Sequence, residues 1–236
     1  MIGIIGGGSL KLKGFSPGEE RTVSTPYGFP SSPLYIGRWR GREIVVIFRH
    51  GPEGRIPPHR INHRANIHAL GELGVEAVVG VNSVGSLREE IPPGVLVIPH
   101  DFLSPWSVVT FFDEEAVHVT PGLDEGVRTR LIEAASRASV EHRPEGIYVQ
   151  TIGPRLETKA EIAFLKHLGD VVGMTMAHEA TLCAERGIPY GSLCTVDNYA
   201  HGIVEEPLSE AQIKSKAAAN AEKAAAVLEE FLSWVS

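Results

Sequence analysis

Near its middle the sequence reads Gly153-Pro154-Arg155-Leu156-Glu157-Thr158, between a short apolar run, Ile147 to Thr151, and a helical pattern from Lys159 to Leu168. A buried strand, a turn and a helix form the repeating unit of α/β folds, and such turns often carry ligand groups because a rigid scaffold holds them. The stretch therefore predicts an α/β fold with a candidate binding turn inside it.

The rest of the chain repeats this alternation. The predicted strands are Ile2–Ile5, Glu43–Phe48, Ala77–Val81, Val95–Ile98, Ile147–Thr151, Val171–Met174 and Gly191–Val196. The predicted helices are Asn62–Leu73, Asp124–Ser139, Thr158–Leu168, Met176–Arg186 and Ser209–Val235. This order predicts a largely buried, partly parallel sheet with helices on both faces. No linker or repeat divides the chain, so we expect one domain over residues 1–236, with a long loop from Asp101 to Gly122 that is functional or interfacial.

Composition narrows the classes of function. The net charge of −7, without long runs of one sign, makes nucleic acid and anionic membranes poor partners. Cys183 and Cys194 have no zinc-site spacing and indicate small buried side chains in a reducing compartment. The first residues read as a strand rather than a signal peptide, and no apolar stretch is long enough to span a bilayer. These features predict a cytoplasmic protein.

Polar residues at strand ends form a candidate anion site. A glycine turn containing Gly8 and Ser9 follows the first strand, where backbone N–H groups can approach an anion, although such a turn is more often only a turn. Arg49 and His50 end a second strand and offer a guanidinium fork and an imidazole, a pair that is also common on surfaces.

Two further strand ends add candidates of the same kind. Asn82 and Ser83 follow a buried strand, where open α/β sheets bind ligands, or else they form a simple turn. Met174 and Thr175 end another strand, at the start of a helix. Thr175 can hold phosphate there, and Met174 offers an apolar surface for a sugar or base, or is a core residue.

The segment Asp197-Asn198-Tyr199-Ala200-His201-Gly202 follows the last strand. An Asn amide both donates and accepts, so Asn198 can read a base edge that has both kinds of group. The absence of GxGxxG, HExxH and GxSxG motifs disfavours a nucleotide cofactor, a zinc site and a serine nucleophile. We expect no cofactor and no metal.

Taken in order, these stretches resemble the methylthioadenosine phosphorylase type of purine nucleoside phosphorylase, over essentially the whole chain. The matching stretches are Ile2–Leu10, Arg49-His50-Gly51, Asn62–Gly74, Gly85–Ile91, Gly153–Glu157, Gly173-Met174-Thr175 and Asp197–Gly202. The resemblance implies a single-domain phosphorylase-type fold, a central mixed and twisted sheet flanked by helices.

The resemblance also assigns roles to the site residues. The implied phosphate site consists of Gly8, Ser9, Arg49, His50, Asn82, Ser83 and Thr175. Met174 would lie under the ribose, Leu156 against the base, and His118 would be lent to a neighbouring subunit's pocket. The family is trimeric or built from trimers, so a homotrimer or a dimer of trimers is implied, with inorganic phosphate as a co-substrate.

Departures from the family pattern concern the phosphate and the base. Gly8, Asn82 and Gly54 replace residues that are usually Thr, Thr and His. Asp197-Asn198-Tyr199-Ala200 stands where adenine-specific members have Thr-Asp-Tyr-Asp. A buried carboxylate that faces O6 of a 6-oxopurine would be acceptor against acceptor, whereas an amide can donate to it. Asn198, Tyr199 and Ala200 are thus predicted to select 6-oxopurines, which is similar to the S-methyl-5'-thioinosine phosphorylase branch.

The implied reaction is phosphorolysis without a covalent enzyme intermediate, with Asn198 stabilising charge on the purine and His50 acting at the phosphate. We expect cleavage of S-methyl-5'-thioinosine to hypoxanthine and 5-methylthioribose 1-phosphate, a purine salvage reaction. The alternatives are a general 6-oxopurine nucleoside phosphorylase, a methylthioadenosine phosphorylase, and a purine nucleoside binder with a degraded phosphate site. Polarity around the 5' group, which His118, Val204 and the start of the last helix are expected to line, separates the first two readings.

Overall fold

The computed structural model describes residues 1–7, 9–106, 109–206 and 210–233. Its strands are β1 (Ile2–Gly6), β2 (Glu19–Arg21), β3 (Leu34–Trp39), β4 (Arg42–Phe48), β5 (Ala77–Ser86), β6 (Leu96–Val97), β7 (Asp101–Leu103), β8 (His142–Arg143), β9 (Ile147–Gln150), β10 (Val171–Gly173) and β11 (Tyr190–Tyr199). Its helices are α1 (His63–Glu72), α2 (Glu125–Arg137), α3 (Lys159–Leu165), α4 (Met176–Glu185) and α5 (Glu210–Ser233), and a 3₁₀ turn spans Pro58–Arg60.

All the strands belong to one mixed sheet. Its main path runs β2-β3-β4-β1-β5-β10-β9-β7, and β11, β6 and β8 branch from β5. β1 lies parallel to both β4 and β5, whereas β10 runs antiparallel to β5 and parallel to β9. The predicted fold class, a central mixed sheet with flanking helices, is confirmed.

The two faces of the sheet carry separate hydrophobic layers. Alternate side chains of β1 point to opposite faces, so Ile5 packs with α1 and α4 while Ile4 packs with α2 and α5. A smaller apolar cluster joins α3 to β9 and β10 through residues such as Ile162 and Val149. Because both faces are covered, the central strands are apolar almost throughout, which is why the sequence pattern could identify them.

The binding turn of residues 153–158 is held at the start of α3. The Thr158 side chain accepts the N–H of Glu161, and the Glu161 carboxylate accepts the N–H of Thr158, which is a capping box. Arg155 donates two further hydrogen bonds to Glu161, of 2.7 and 2.8 Å. The turn therefore presents Leu156 and Glu157 from a local network rather than from a free loop.

β5 changes partners along its length, and this creates an opening in the sheet. One edge pairs with β1 through residues 77–80 and with β10 through Gly85 and Ser86. The other edge pairs with β11 from Val78 to Ser86. Between the two partners on the first edge, residues 81–84 have no neighbouring strand in the described part of the chain, and the cavity described below lies there.

The predicted elements are present, but several bounds were wrong. Asn82 to Ser86 and Asp197 to Tyr199, which the polar pattern assigned to turns after strands, continue β5 and β11. Pairing of the two strands satisfies their backbone groups and leaves polar side chains free to face a cavity. β7 lies within the predicted loop after Asp101, because it pairs with β9. β2, β3 and β8 were not predicted. β2 and β8 contain no apolar run and are defined by tertiary pairing.

In the part of the chain that the structure describes, no helix is long and apolar enough to cross a membrane.

Candidate active site

A cavity of about 360 Å³ opens beside residues 81–84 of β5. The lining residues come from the first glycine turn (Gly7, Ser9, Leu10), the end of β4 (Arg49, His50), Pro58, β5 (Val81, Ser83, Val84, Gly85), the binding turn (Leu156, Glu157), the β10–α4 junction (Val172, Gly173, Met174, Thr175), β11 and the segment after it (Thr195, Asn198, Ala200, His201) and α5 (Ile213, Ala217, Ala221). Eight separate parts of the chain thus converge on one site.

Most of the residues predicted from the sequence meet here. Those that line the cavity are Ser9, Arg49, His50, Ser83, Leu156, Met174, Thr175, Asn198 and Ala200. Gly8 lies outside the described residues. Three others stand elsewhere: Asn82 is behind the wall, the Tyr199 hydroxyl donates to the Glu89 carbonyl, and His118 lies exposed between β7 and α2 without lining this cavity.

Arg49 differs most from its predicted role. The residue is 1% exposed, and its guanidinium donates to both carboxylate oxygens of Glu179, at 2.6 and 3.2 Å, and to the carbonyls of Val81 and Ile5. These contacts use four of its five N–H groups, so the expected bidentate grip on phosphate is not available without breaking them. Burial acts to lower the pKa of Arg49, but the charge of Glu179 outweighs it and the pKa is raised. Arg49 is therefore a charged member of the wall.

His50 lines the cavity, and one of its ring nitrogens has a backbone partner. Its Nδ1 lies 2.8 Å from the Ile56 carbonyl, and because a carbonyl only accepts, Nδ1 carries the proton. Burial and, after it, the nearby charge of Arg49 lower the pKa of His50. The neutral ring thus leaves Nε2, on its other edge, as an acceptor.

Asn82 supports the site from behind. Its Nδ2 donates to Thr175 Oγ1 at 2.9 Å, and its Oδ1 accepts from Ser192 at 2.9 Å. This arrangement turns the hydroxyl proton of Thr175 away from Asn82 and toward other acceptors. Asn82 therefore acts by orienting Thr175 rather than by touching a ligand, a role that the predicted turn could not suggest.

The amino terminus of α4 is already closed by side chains. The Tyr148 hydroxyl accepts the N–H groups of Thr175 and Met176, and Gln150 Oε1 accepts that of Ala177. The N–H groups of Thr175, Met176 and Ala177 are therefore already engaged, including the Thr175 N–H that the sequence offered as a possible phosphate donor. At the amino terminus of α4, the Thr175 hydroxyl is the group that can still donate a hydrogen bond to an anion.

Asp197 lies buried beneath the cavity floor. Ser83 and Thr195 donate their hydroxyl protons to its Oδ2, and Asn220 of α5 donates to its Oδ1 at 2.8 Å. Burial raises the pKa of Asp197, and these three donors oppose that rise. The contact with Asn220 also ties α5, which covers the cavity, to β11.

Glu157 was missed by the sequence analysis as a site residue. It lines the cavity together with Asn198, and one of its oxygens accepts the Thr151 hydroxyl at 2.6 Å. Asn198 Nδ2 donates one proton to the Tyr199 carbonyl at 2.7 Å, which leaves its second proton. The sequence could have indicated Glu157, because it belongs to the candidate binding turn of residues 153–158.

Part of the cavity lining is apolar. Ile213, Ala217 and Ala221 of α5 line it with Leu10 and Pro58. Val204, expected there, lies instead on a separate surface cavity with Glu205 and Glu206. Among the described residues, no three His, Cys, Asp or Glu side chains are placed to hold a metal ion.

A family model described as "Phosphorylase superfamily" matches residues 1–233. The chain belongs to the phosphorylase superfamily. The predicted resemblance to nucleoside phosphorylases and the prediction of an enzyme are confirmed.

Named relatives of this phosphorylase cover nearly its whole length. A probable 6-oxopurine nucleoside phosphorylase of Archaeoglobus fulgidus is 47% identical over 100% of this chain and 97% of its own. A probable S-methyl-5'-thioinosine phosphorylase of Methanocaldococcus jannaschii is 41% identical over 99% of this chain and 92% of its own. Methylthioadenosine phosphorylase from Schistosoma mansoni, solved with adenine, superposes with a TM-score of 0.89 at 28% identity, over 98% of this chain and 90% of that one.

Replacing Glu179 should destabilise this phosphorylase strongly. Glu179→Gln leaves the charge of Arg49 buried without a counter-charge, because the two side chains are 2% and 1% exposed. We expect the free energy of unfolding to fall by about 3–5 kcal/mol in urea titrations. The control is Tyr190→Phe, which removes only the 2.8 Å hydrogen bond to Glu179 and should cost about 1 kcal/mol. Equal losses in the two variants would contradict this account of the pair.

His63 should make the protein sensitive to acid. Its ring is buried against His178, with centroids 5.0 Å apart, and neither of its nitrogens has a hydrogen-bond partner among the described residues. Burial, followed by the charges of His178, Arg49 and His50, lowers its pKa well below 6.5. As pH falls through 6.5, the unfolded chain takes up a proton that folded His63 refuses, so the free energy of unfolding falls by up to about 1.4 kcal/mol per pH unit.

The test compares unfolding between pH 7 and pH 5. His63→Phe should reduce this loss of stability, whereas His167→Phe, at an exposed position, serves as the matched control. An unchanged pH dependence in His63→Phe would show that other groups cause it.

Proposed function

We propose that this phosphorylase cleaves S-methyl-5'-thioinosine with inorganic phosphate, to give hypoxanthine and 5-methylthioribose 1-phosphate. The observation that carries the proposal is the composition of the cavity: an amide and a carboxylate at one end, and an apolar wall from α5. The first pair suits a 6-oxopurine, and the wall suits a methylthio group. The reaction serves purine salvage.

The pair of Asn198 and Glu157 complements the edge of hypoxanthine. A 6-oxopurine presents an acceptor at O6 and a donor at N1–H, which match the free amide proton of Asn198 and the carboxylate of Glu157. Adenine presents an acceptor at N1, which would face a carboxylate there. Leaving two acceptors opposed in a buried site costs about 1–3 kcal/mol. Ala200, with no carboxylate to receive a 6-amino group, supports the same choice.

The apolar wall favours methylthio over hydroxyl at the 5' position. A 5'-hydroxyl placed against Ile213, Ala217 and Ala221 would lose its hydrogen bonds to water without gaining partners there. The methylthio group is soft and apolar, so it loses no hydrogen bonds to water when its surface is buried there. This point separates the proposal from a general 6-oxopurine nucleoside phosphorylase, the second candidate, which the 47% identical relative's name favours.

The cavity would support phosphorolysis by positioning. Phosphate would lie near Ser9, His50 and Thr175, below C1' of the ribose. The N-glycosidic bond breaks as C1' gains oxocarbenium character, the purine leaves with the bonding electrons, and a phosphate oxygen captures C1' with inversion. Asn198 donates to the purine as it gains negative charge. Met174 and Leu156 would hold the sugar and base in place.

We expect a homotrimer, or a dimer of trimers, in which His118 completes a neighbour's pocket. Val117 and Val119, beside His118 in sequence, are exposed. Trp106, Ile152 and Phe164 are also exposed, and these three line a second cavity of about 410 Å³. Exposed apolar side chains that line one cavity are costly for a monomer to leave in water. Sedimentation velocity at assay concentration tests this, and a fully active monomer would contradict it.

The substrate is tested by assaying base release from methylthioinosine, methylthioadenosine, inosine and guanosine, with and without phosphate. We expect methylthioinosine to have the highest kcat/KM and release to require phosphate. Release that proceeds equally well without phosphate would overturn the phosphorylase proposal. A preference for inosine would favour the second candidate.

Variants at the base test the selectivity. Asn198→Asp with Ala200→Asp should shift relative kcat/KM toward methylthioadenosine by roughly ten- to a hundredfold, because carboxylates then face the 6-position. Asn198→Asp alone should lower activity on methylthioinosine. If the wild type already prefers methylthioadenosine, the assignment of Asn198 is wrong.

A further inference from the structure

Asn220 marks a change along α5 in how the helix is held. The described side chains before it, Ile213 and those of residues 215–219, are half-buried or exposed. After Asn220 many side chains are buried, and Leu228 and Phe231 pack into the hydrophobic layer shared with α2. The core thus holds the later turns of α5, whereas the earlier turns, which contribute to the cavity lining, need another anchor.

Asn220 supplies that anchor through a buried amide. The residue is 1% exposed, and its Nδ2 donates to the Val196 carbonyl at 2.9 Å and to Asp197 Oδ1 at 2.8 Å. Both acceptors belong to β11. Breaking hydrogen bonds of a buried amide is costly, so the two bonds hold α5 at one distance from β11 and in one rotation about its own axis.

The Asp197 carboxylate connects this anchor to the floor of the cavity. Its Oδ2 accepts the hydroxyl protons of Ser83 on β5 and Thr195 on β11, and both of these residues line the cavity. One buried carboxylate therefore joins two lining strands to the helix that contributes the apolar wall. A buried polar network whose members are paired specifies a single arrangement of the elements that it joins.

The apolar wall depends on the position of the α5 backbone because its side chains are small. Ala217 and Ala221 line the cavity, three residues before Asn220 and one residue after it. An alanine has no side-chain rotamers, so it cannot follow a ligand when the backbone shifts. A gap of about 0.5–1 Å forfeits roughly a quarter to a half of the dispersion attraction between two atoms. The contact with an apolar 5' group is thus set by whatever holds the helix.

We propose that Asn220 is a positioning residue: by holding α5 against Asp197, it places the apolar wall and thereby sets the preference for a 5'-methylthio group over a 5'-hydroxyl. This inference rests on the proposed function for the identity of the substrate. Asn220 is not among the residues that line the cavity, so it acts through Ala217 and Ala221 rather than by contact with the nucleoside. No bond is made or broken in this role.

Asn220→Ala tests the proposal directly. The variant removes both hydrogen bonds to β11 and keeps a good helix former at the position. We expect the ratio of kcat/KM for methylthioinosine to that for inosine to fall about tenfold, because one methyl group in an apolar pocket is worth about that factor or more. The change should lie mainly in a higher KM for methylthioinosine, since the wall contacts substrate and transition state alike. A mere loss of folded enzyme lowers kcat for both nucleosides equally and leaves the ratio unchanged.

The matched control is Lys223→Ala on the same helix. Lys223 donates to the Gly94 carbonyl and is not among the residues that line the cavity. Its replacement removes another hydrogen bond of α5, three residues farther along, and should keep the wild-type ratio. Amide hydrogen exchange adds a readout without substrate. Residues 210–219 should exchange at least about tenfold faster in Asn220→Ala than in the wild type, and at the wild-type rate in Lys223→Ala.

A second variant keeps the size of the side chain. In Asn220→Asp a carboxylate replaces the amide donor and faces the carboxylate of Asp197, so the substrate ratio should fall at least as far as in Asn220→Ala. If Asn220→Ala does not fold, Asn220→Asp decides. A wild-type ratio in the folded variants would overturn the proposal.

The outcomes distinguish this inference from the proposed function. A wild-type protein that releases no base in the presence of phosphate refutes the proposed function, and hydrogen exchange then still tests the tie between Asn220 and β11. A wild-type enzyme that prefers methylthioinosine, with the same preference in the folded Asn220 variants, refutes the role of Asn220 and leaves the phosphorylase activity standing.

Discussion

The buried ion pair between Arg49 and Glu179 is the interaction on which the site depends. Arg49 stands at the end of β4, donates to carbonyls of β1 and β5, and meets Glu179 from α4, so that one guanidinium joins three strands and a helix. Tyr190 at the start of β11 adds a hydrogen bond to the same carboxylate. Such a pair is costly to bury and still costlier to break, because removing one partner strands the other charge. The pair therefore links β1, β4, β5, β11 and α4 in one hydrogen-bond network at the cavity wall.

The opening beside the pair comes from the topology of the sheet. β5 leaves β1 after residue 80 and meets the antiparallel β10 only at Gly85, and β11 supports the other edge throughout. Pairing along the edge that β5 and β11 share satisfies the backbone groups that point to it, while polar side chains of both strands are free to serve the cavity. This explains how Asn82, Ser83, Asp197 and Asn198 can lie on strands and still serve a cavity. A layer of buried hydrogen bonds, from Asn82 to Thr175 and from Asn220 to Asp197, then orients the groups that face it.

Directed hydrogen bonds, more than charge, distinguish the three parts of this cavity. Asn198 and Glu157 contribute an amide and a carboxylate to the lining, and α5 contributes apolar side chains. Arg49, among the described lining residues, is already paired with Glu179. A site built in this way recognises its ligands by where each donor and acceptor points. Small changes in a few side chains can then move selectivity among related nucleosides while the fold stays the same, which is consistent with the different names of relatives that match over nearly their full length.

The sequence by itself determined the central strands, the five helices and the set of strand ends that meet at the cavity, because apolar runs and helical periods are local properties of the chain. It also singled out Asn198 and Ala200 as candidates for contact with a base, and both line the cavity. Only the tertiary structure decided which donors and acceptors of each side chain remain available to a ligand. The guanidinium of Arg49 is hydrogen-bonded to Glu179 and to two carbonyls, and Asn82 lies behind Thr175. The Ser83 hydroxyl donates a hydrogen bond to Asp197, and Glu157 lines the cavity. These properties depend on partners more than a hundred residues away in several cases, since a hydrogen bond is set by distance and direction in space and leaves no period in the sequence.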